Sequence, residues 1–134
     1  MEIRYQSSLD GMSPEAIHGF FVGWADPPDA STLVRMLEAS SQIWLALDGA
    51  RLVGYIRAIS DGFFSAFLAE LEVLPEYQGL GIGTALLNNI LRDLAGFYSI
   101  DVSCDDELVD YYRRFGFVRG NGMMIRTYQH QAGR

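Results

Sequence analysis

Three glycines stand at alternate positions, Gly79, Gly81 and Gly83, immediately before an amphipathic run that predicts a helix. A helix N-terminus leaves four main-chain N–H groups without intrahelical partners and carries about half a positive charge. Glycines at that point let a ligand approach the main chain closely. The sequence therefore indicates an anion site of the kind that binds phosphate, with a ligand-free glycine-rich turn as the alternative.

Two well-known phosphate motifs can be compared with this loop. A Walker loop requires Gly-Lys-Ser/Thr, and the chain contains no lysine. A dinucleotide fingerprint beginning at Gly79 needs a glycine at position 84, where Thr84 stands, and the loop follows three predicted antiparallel strands. Asp101 does lie twenty residues beyond Gly81, so a nucleotide-binding oxidoreductase stays open as an alternative.

The composition is that of one globular domain, predicted to span residues 1–134. Hydrophobic residues make up 49% and charged residues 20% of the chain, which is ordinary for such a domain. The formal net charge of −7 argues against a nucleic-acid partner, because nucleic-acid binders carry a basic face. Cys104 is the only cysteine and the N-terminus has no signal-like pattern, so we expect a cytoplasmic location. No apolar run approaches membrane length, and we expect neither a membrane partner nor a metal site.

Local patterns predict a mixed sheet with helices on its faces. Asp48-Gly49 and Asp61-Gly62 mark turns between alternating apolar runs, so three consecutive strands should be antiparallel. The glycine loop then joins a strand, a helix and a further strand in a unit whose two strands run parallel. A first helix is predicted from Ser13 as N-cap over 13–23, and a last strand or hairpin over 117–128.

The loop and a second segment together resemble a known family. Gln78-Gly79-Leu80-Gly81-Ile82-Gly83 resembles the Gln/Arg-x-x-Gly-x-Gly/Ala signature of the GNAT superfamily of N-acetyltransferases, and "LEVLPEY" before it resembles that family's approach strand. Downstream, "YYRRFGF" resembles the family's (Phe/Tyr)-Tyr-x-x-x-Gly-Phe element. The N-terminal third matches only in element type. The resemblance implies an α/β, GNAT-like fold: a central, mostly antiparallel sheet with one parallel strand pair and about four flanking helices.

The resemblance implies that the chain binds acetyl-CoA. The main chain of Leu71 and Val73 would pair with the pantetheine arm as an added strand does. The pyrophosphate would lie on the loop, whose implied contacts are Gln78, Gly79, Leu80, Gly81, Ile82, Gly83 and Thr84. The family often carries an asparagine seven residues before its tyrosine, and here Asp105 stands there. An acid is a poor neighbour for phosphates, so we assign Asp105 to a helix N-cap rather than to the cofactor.

The same resemblance implies that Tyr112 protonates the leaving thiolate of CoA. A phenol with a pKa of about 10 can give a proton to a thiolate whose thiol has a pKa of about 8.5. Tyr112 shares an apolar helix face with Leu108 and Phe115, so a core tyrosine is the alternative interpretation. Tyr111 lies about 100° around the helix and is the weaker candidate.

An amine must lose a proton before it can attack a thioester. Glu70 and Glu72 lie on one face of the predicted fourth strand, because side chains alternate along a strand, and Asp101 lies on the neighbouring parallel strand. These three carboxylates could form an acidic cluster that accepts the proton of the amine, directly or through water. Solvated strand positions are the alternative.

Acceptor specificity is implied to lie in the N-terminal segment. Phe21 and Trp24 precede a proline-stiffened loop, and an aromatic wall beside acidic residues suits a hydrophobic or aromatic amine or a peptide N-terminus. The alternative for Phe21 is packing against the sheet, which leaves Trp24 as the preferred candidate.

The sequence therefore predicts an enzyme that transfers an acetyl group from acetyl-CoA to a primary amine of a small molecule or peptide. The attack would be direct, without an acyl-enzyme, and N–H groups near Val73 would stabilise the oxyanion. A non-catalytic acyl-CoA-sensing module is the alternative. An exposed C-terminal strand would permit a homodimer.

Overall fold

The structure, a computed structural model, describes residues 1–134 and contains one five-stranded sheet and three α-helices. The elements are, in chain order, β1 (Arg4–Gln6), a 3₁₀ turn (Pro14–Ala16), α1 (Ala30–Glu38), β2 (Gln42–Asp48), β3 (Arg51–Ser60), β4 (Ser65–Val73), a 3₁₀ turn (Pro75–Tyr77), α2 (Ile82–Asp93), β5 (Ser99–Val102), a 3₁₀ turn (Asp106–Leu108), α3 (Val109–Arg113) and a 3₁₀ turn (Tyr128–His130). None of the helices combines the length and the apolar character that crossing a bilayer requires.

The strands lie in the order β1-β2-β3-β4-β5, and every neighbouring pair is antiparallel except the parallel pair β4–β5. This arrangement confirms the mixed sheet that the hairpin turns and the strand–helix–strand pattern predicted. The helix count is three, slightly below the four expected. The helix α2 connects the two parallel strands, as such a crossover requires.

Each face of the sheet has its own apolar core. On the α2 face, thirteen buried residues form one cluster, which includes Ile56, Leu86 and Ile90. On the α1 face, nine buried residues form a second cluster, which includes Leu37 and Leu45. Both faces of the central strands are therefore largely apolar.

A bulge in β4 interrupts the sheet close to the glycine loop. Arg57 on β3 pairs with Glu70, while the next residue, Ala58, pairs with Leu68, so Ala69 is the extra residue on β4. A bulge bends its strand and increases the local twist. The second half of β4 is consequently turned away from the direction of the first half.

The parallel pairing of β4 with β5 ends just before this bulge, where Leu68 lies opposite Val102. Beyond that point, residues 70–73 of β4 pair with β3 on one side. Their other main-chain edge has no strand beside it. Residues 70–73 of β4 therefore extend past the end of β5 and keep one free main-chain edge.

The helix predicted over 13–23 is wrong. Only Pro14–Ala16 forms a turn, and the chain then follows an irregular path. Gly19, Phe21 and Gly23 have φ angles of 93°, 62° and 84°, which no right-handed helix can contain. Two glycines in eleven residues also weaken any helix that the N-cap signal would start.

The final strand predicted over 117–128 is also wrong for the single chain. No strand or hairpin forms over 117–127, and Gly120, Asn121 and Gly122 lie in the middle of this segment. Glycine costs more backbone entropy than other residues when it is fixed in a strand. The apolar residues of this segment therefore do not compensate for its glycines within one chain.

The packing of α2 on the sheet generates a stability prediction at Gly54 on β3. A Cβ atom there would lie 3.3 Å from Ile82 Cγ2, from Leu86 Cδ1 and from the carbonyl oxygen of Glu72. We expect Gly54→Val to lower the free energy of unfolding by about 1–3 kcal/mol, because the added atoms overpack this contact. Urea denaturation measures the change.

Gly120→Ala is the matched control, since no atom lies within 4 Å of a Cβ at Gly120. We expect it to change the unfolding free energy by no more than about 0.5 kcal/mol. Equal stabilities for the two variants would contradict the close approach of α2 to β3.

Candidate active site

The glycine loop turns the chain from the end of β4 into α2. Gly79 and Gly81 have φ angles of 78° and 83°, in the left-handed region that residues with a side chain rarely adopt. Gly81 is the N-cap of α2. A Cβ atom at Gly83 would lie 3.8 Å from Val73 Cγ2, so the first turn of α2 lies against the end of the free β4 edge.

Six successive main-chain N–H groups, those of residues 79–84, donate to no acceptor in the protein. Ala85 is the first residue of this stretch whose N–H bonds within the helix, to the carbonyl oxygen of Gly81 at 3.0 Å. The six donors stand at the positive end of the α2 dipole. This is the arrangement that an anion site at a helix N-terminus requires, and anion binding here stays a prediction.

The side chains of the loop tie it to its surroundings. Gln78 Nε2 donates to the carbonyl oxygen of Val73 at 3.0 Å and so fixes the loop to the end of β4. Thr84 Oγ1 lies 3.1 Å from the hydroxyl of Tyr111 on α3. The main chains of Leu71 and Val73 lie on the free edge of β4, and their pairing with a cofactor stays a prediction.

Tyr111 was the weaker tyrosine candidate, yet its hydroxyl reaches the first turn of α2. The guanidinium carbon of Arg114 lies 4.9 Å from the centre of the Tyr111 ring, in a cation–π contact. A positive charge is therefore stacked on a side chain that contacts the loop. Sequence reasoning missed Arg114, although its spacing from Tyr111 and the lack of lysine were visible signals.

Tyr112 lies deeper, in the core cluster on the α2 face, and its ring packs edge-on against Tyr111 and Phe117. Burial raises the pKa of Tyr112 to about 12, with smaller contributions from Cys104 and Tyr111. Cys104 follows the end of β5, so the phenol is close to the carboxyl end of that strand. The group is a protonated phenol at neutral pH, which a general acid must be.

Glu72 binds the irregular N-terminal segment instead of standing free in solvent. Its Oε2 accepts the main-chain N–H of Phe21 at 2.8 Å, which holds Phe21 in its left-handed conformation. Burial raises the pKa of Glu72, the charge of Glu70 adds to this, and the N–H groups of Phe21 and Val22 oppose it. Glu72 is therefore a half-buried carboxyl that takes up a proton more readily than an exposed one.

Glu70 is neutralised by an ion pair. Arg57 donates to its two carboxylate oxygens at 2.7 and 2.9 Å in a bidentate contact. Beside this pair lies Tyr55, whose buried hydroxyl has no hydrogen-bond partner. Burial raises the pKa of Tyr55 far above its ordinary value, and the charges of Glu70 and Glu72 raise it further.

The four side chains of Tyr55, Arg57, Glu70 and Glu72 thus form one cluster on the α1 face of the sheet. Sequence reasoning named the two carboxylates and missed the two β3 residues that face them. Tyr55 and Arg57 are two residues apart on β3, so their side chains lie on the same face of the strand, and this spacing was visible in the sequence.

Asp101 stands apart from this cluster. It lies opposite Phe67 in the β4–β5 register, on the far side of the bulge from Glu70, and it is exposed. The three predicted carboxylates therefore do not converge on one point. No group of three His, Cys, Asp or Glu side chains is placed to hold a metal ion.

The two aromatic residues proposed for the acceptor have different environments. Phe21 is buried in the core cluster on the α1 face. Trp24 is 43% exposed, and its ring centre lies 4.8 Å from that of Phe21. Trp24 thus provides the exposed aromatic surface near Glu72, and its ring packs against the buried ring of Phe21.

Known proteins that are similar to this chain in sequence or fold are named as acetyltransferases. The profile of the Acetyltransferase (GNAT) family matches residues 9–117. A crystal structure from Deinococcus radiodurans R1, to which an acetyltransferase function is ascribed, is 38% identical, with a TM-score of 0.94 over 97% of this chain and 92% of that chain. A GNAT-family acetyltransferase from Streptococcus pneumoniae TIGR4 is 31% identical, with a TM-score of 0.77 over 94% of this chain and 98% of that one.

Curated relatives match a smaller share of their own length. An uncharacterized N-acetyltransferase ycf52 of Porphyra purpurea is 29% identical over 73% of this chain and 59% of its own. Serotonin N-acetyltransferase 2, chloroplastic, of Oryza sativa subsp. japonica is 35% identical over 63% of this chain and 46% of its own. The chain therefore spans about half the length of these two relatives. The family match over most of the sequence, the superposition on GNAT structures and the loop geometry together show that the chain belongs to the GNAT family of acetyltransferases.

Proposed function

We propose that this protein transfers the acetyl group of acetyl-CoA to a primary amine of a small molecule or peptide. The observation that carries the proposal is the run of six unpaired N–H groups at residues 79–84, which continues the free main-chain edge of β4. A ligand that combines a diphosphate with a chain of amides fits both features at once.

The residues present fit acetyl-CoA along its length. The diphosphate would accept hydrogen bonds from residues 79–84, and Arg114 supplies a nearby positive charge. The pantetheine amides would pair with the main chain of residues 70–73. When bound, acetyl-CoA supplies an electrophilic thioester carbonyl. In this arrangement the thioester carbonyl would lie beside the free edge of β4.

Glu72 is the carboxylate best suited to accept the proton of the amine. One of its oxygens accepts the Phe21 N–H, and a raised pKa brings its basicity closer to neutral pH. Glu70 is less suitable because Arg57 occupies both of its oxygens, and Asp101 is remote from both. Tyr112 is the acid that returns a proton to the thiolate.

An aromatic amine is the acceptor class that the site favours. Trp24 offers an exposed ring near the carboxylate of Glu72, and such a pair suits an apolar body with a cationic end. The rice relative is named as a serotonin N-acetyltransferase, which supports the inclusion of arylethylamines in any acceptor panel.

A non-catalytic acyl-CoA-binding module is the second candidate, and one observation favours it. Glu70 and Glu72 are both engaged by the protein itself, one with Arg57 and one with Phe21. Thiol release with any amine of a panel of arylethylamines, polyamines and peptides excludes this candidate. Tight binding of acetyl-CoA without release on the whole panel supports it. A cytoplasmic location and the lack of nucleic-acid, membrane and metal partners stay predictions.

The two adjacent tyrosines provide a matched pair of variants. We expect Tyr112→Phe to lower kcat by at least about tenfold in a thiol-release assay, since it removes the proton donor. We expect Tyr111→Phe to raise the KM for acetyl-CoA and leave kcat nearly unchanged, because Tyr111 contacts Thr84 at the loop. An unchanged kcat in Tyr112→Phe would remove Tyr112 from the chemistry.

The raised pKa of Glu72 predicts how stability depends on pH. A carboxyl whose pKa is higher in the folded than in the unfolded protein favours folding below the unfolded pKa, and this contribution is lost as the pH rises through the folded pKa. The unfolding free energy of the natural protein, minus that of Glu72→Gln, should therefore fall as the pH is raised from about 4, near the ordinary pKa of Glu. Urea denaturation at a series of pH values measures it.

The same variant tests the role of Glu72 in the reaction. If Glu72 is the base, kcat/KM of the natural protein rises with pH through a single ionisation, and Glu72→Gln loses that rise together with about 10²-fold of activity. A pH–rate profile that Glu72→Gln leaves intact would assign the base elsewhere, even if the stability difference appears as expected.

A further inference from the structure

One arginine contacts both the N-terminal segment and the turn that leads into the glycine loop. Arg51 is the first residue of β3. Its Nη2 donates to Oε1 of Glu76 at 3.2 Å and lies 3.3 Å from Nδ1 of His18. Because arginine nitrogens only donate, Nδ1 of His18 accepts this second bond and the imidazole proton lies on Nε2. A single nitrogen atom therefore links two segments that are far apart in the chain.

Arg51 is held in place by its surroundings. Its Nε atom is buried and has no hydrogen-bond partner in the protein, so the stem of the side chain is enclosed. Its guanidinium carbon lies 5.9 Å from the centre of the Tyr77 ring, and the hydroxyl of Tyr77 donates to Oδ2 of Asp48 at 2.6 Å. The turn between β2 and β3 is thus attached to the 3₁₀ turn Pro75–Tyr77 at both of its ends.

This 3₁₀ turn passes directly into the glycine loop. The N–H of Gln78 bonds to the carbonyl oxygen of Pro75 at 3.2 Å, and Gly79 is the first of the six residues whose N–H groups have no partner. The position of the turn therefore sets the point in space at which the loop begins.

The main chain of the N-terminal segment packs against the same arginine. Gly19 has a φ angle of 93°, and a Cβ atom there would lie 3.8 Å from Nη2 of Arg51 and 3.3 Å from Cδ2 of Leu74. Leu74 is fully buried and joins β4 to the 3₁₀ turn. The glycine thus lets the segment approach both the arginine and the beginning of the turn.

The conformation of the segment depends on attachments of this kind. Phe21 has a φ angle of 62°, and a residue with a side chain persists in that region when its surroundings hold it there. Glu72 accepts the N–H of Phe21 at 2.8 Å, and Arg51 donates to His18 three residues earlier in the segment. The geometry of the bond between Phe21 and Glu72 therefore depends on where Arg51 holds His18.

We propose that Arg51 is a positioning residue for the acetyl transfer, which ties the segment that binds Glu72 to the turn that begins the glycine loop. The inference rests on the proposed function, since it assigns the loop to the diphosphate and Glu72 to the amine. A nucleotide that orders the loop orders the turn, and through Arg51 it also orders residues 18–21 before the amine binds. The two substrates then bind with positive coupling.

Amide signals in nitrogen-15 correlation spectra test this connection. The probe is 3′-phospho-ADP, the nucleotide half of CoA, which lacks the pantetheine arm that would run along β4 toward Glu72. We expect it to shift the signals of residues 79–84 and also those of residues 18–21 in the natural protein. In Arg51→Met we expect the signals of residues 79–84 to shift and those of residues 18–21 to stay in place.

Two further variants serve as controls. Arg51→Lys keeps a cation with several donors on one nitrogen, and one nitrogen makes both bonds here, so we expect it to restore the response of residues 18–21. Arg4→Met removes an arginine that bonds Gln6 on β1 at 2.7 Å, and we expect it to respond as the natural protein does.

The thiol-release assay gives a second readout of Arg51. With the amine of the panel that is acetylated fastest, we expect Arg51→Met to lower kcat/KM for that amine at least about fivefold, because the two substrates no longer bind with positive coupling. We expect Arg51→Lys to recover most of this loss. An unchanged kcat/KM in Arg51→Met removes Arg51 from the reaction.

Two spectral results also overturn the inference. Signals of residues 18–21 that stay unmoved while those of residues 79–84 shift show that no connection exists, and an equal response in Arg51→Met shows that the connection does not pass through Arg51. If Arg51→Met does not fold, His18→Leu and Glu76→Ala replace it, since both side chains are exposed and each change breaks one of the two bonds. We expect each to lose the response of residues 18–21, and a full response in both overturns the inference.

A failure of the proposed function gives a different result. If 3′-phospho-ADP and acetyl-CoA both leave the signals of residues 79–84 unmoved, the loop does not hold the diphosphate, and both proposals are overturned. If these signals shift and the response of residues 18–21 is absent or independent of Arg51, only the role of Arg51 is overturned.

Discussion

The bulge in β4 is the constraint on which the rest of the structure depends. It lies where the pairing with β5 ends, and it leaves the second half of β4 with one bonded and one free edge. The glycine loop then extends the free edge with six more unpaired N–H groups. A helix N-terminus leaves four main-chain N–H groups without intrahelical partners, and the glycine loop adds two more. A run of them that leads from a strand into a helix N-terminus is suited to a long ligand that has amides at one end and phosphates at the other.

The ionisable residues near the free edge of β4 have different environments, which suit them to different roles. Glu70 and Glu72 occupy equivalent strand positions, yet Arg57 neutralises one, while the other is half-buried against the N-terminal segment. Burial raises the pKa of both Glu72 and Tyr112, which favours a base that works closer to neutrality and an acid that stays protonated. Because Glu72 also binds the main chain of Phe21, the position of the N-terminal segment and the ionisation of Glu72 are coupled.

Much of this architecture could be predicted from the sequence because it rests on local signals. The turns at Asp48-Gly49 and Asp61-Gly62 fix hairpins, and the alternate glycines fix a loop whose φ angles other residues would resist. The features that the sequence analysis got wrong or missed depend on contacts between residues that are far apart in the chain. The N-cap pattern at Ser13 gave no helix because Glu72, far away in the chain, binds the segment. The cluster of Tyr55 and Arg57 with the two glutamates required the β3–β4 register, which a bulge shifts. No strand forms over 117–128, where Gly120 and Gly122 flank Asn121.

The most direct test of the central claim is the response of the loop amides to acetyl-CoA in nitrogen-15 correlation spectra. The account predicts that the amide signals of residues 79–84 shift on addition of acetyl-CoA, and that pantetheine, which lacks the diphosphate, leaves them in place while it shifts those of residues 70–73. If saturating acetyl-CoA leaves the signals of residues 79–84 unmoved, the unpaired N–H groups do not hold the diphosphate, and the account is contradicted.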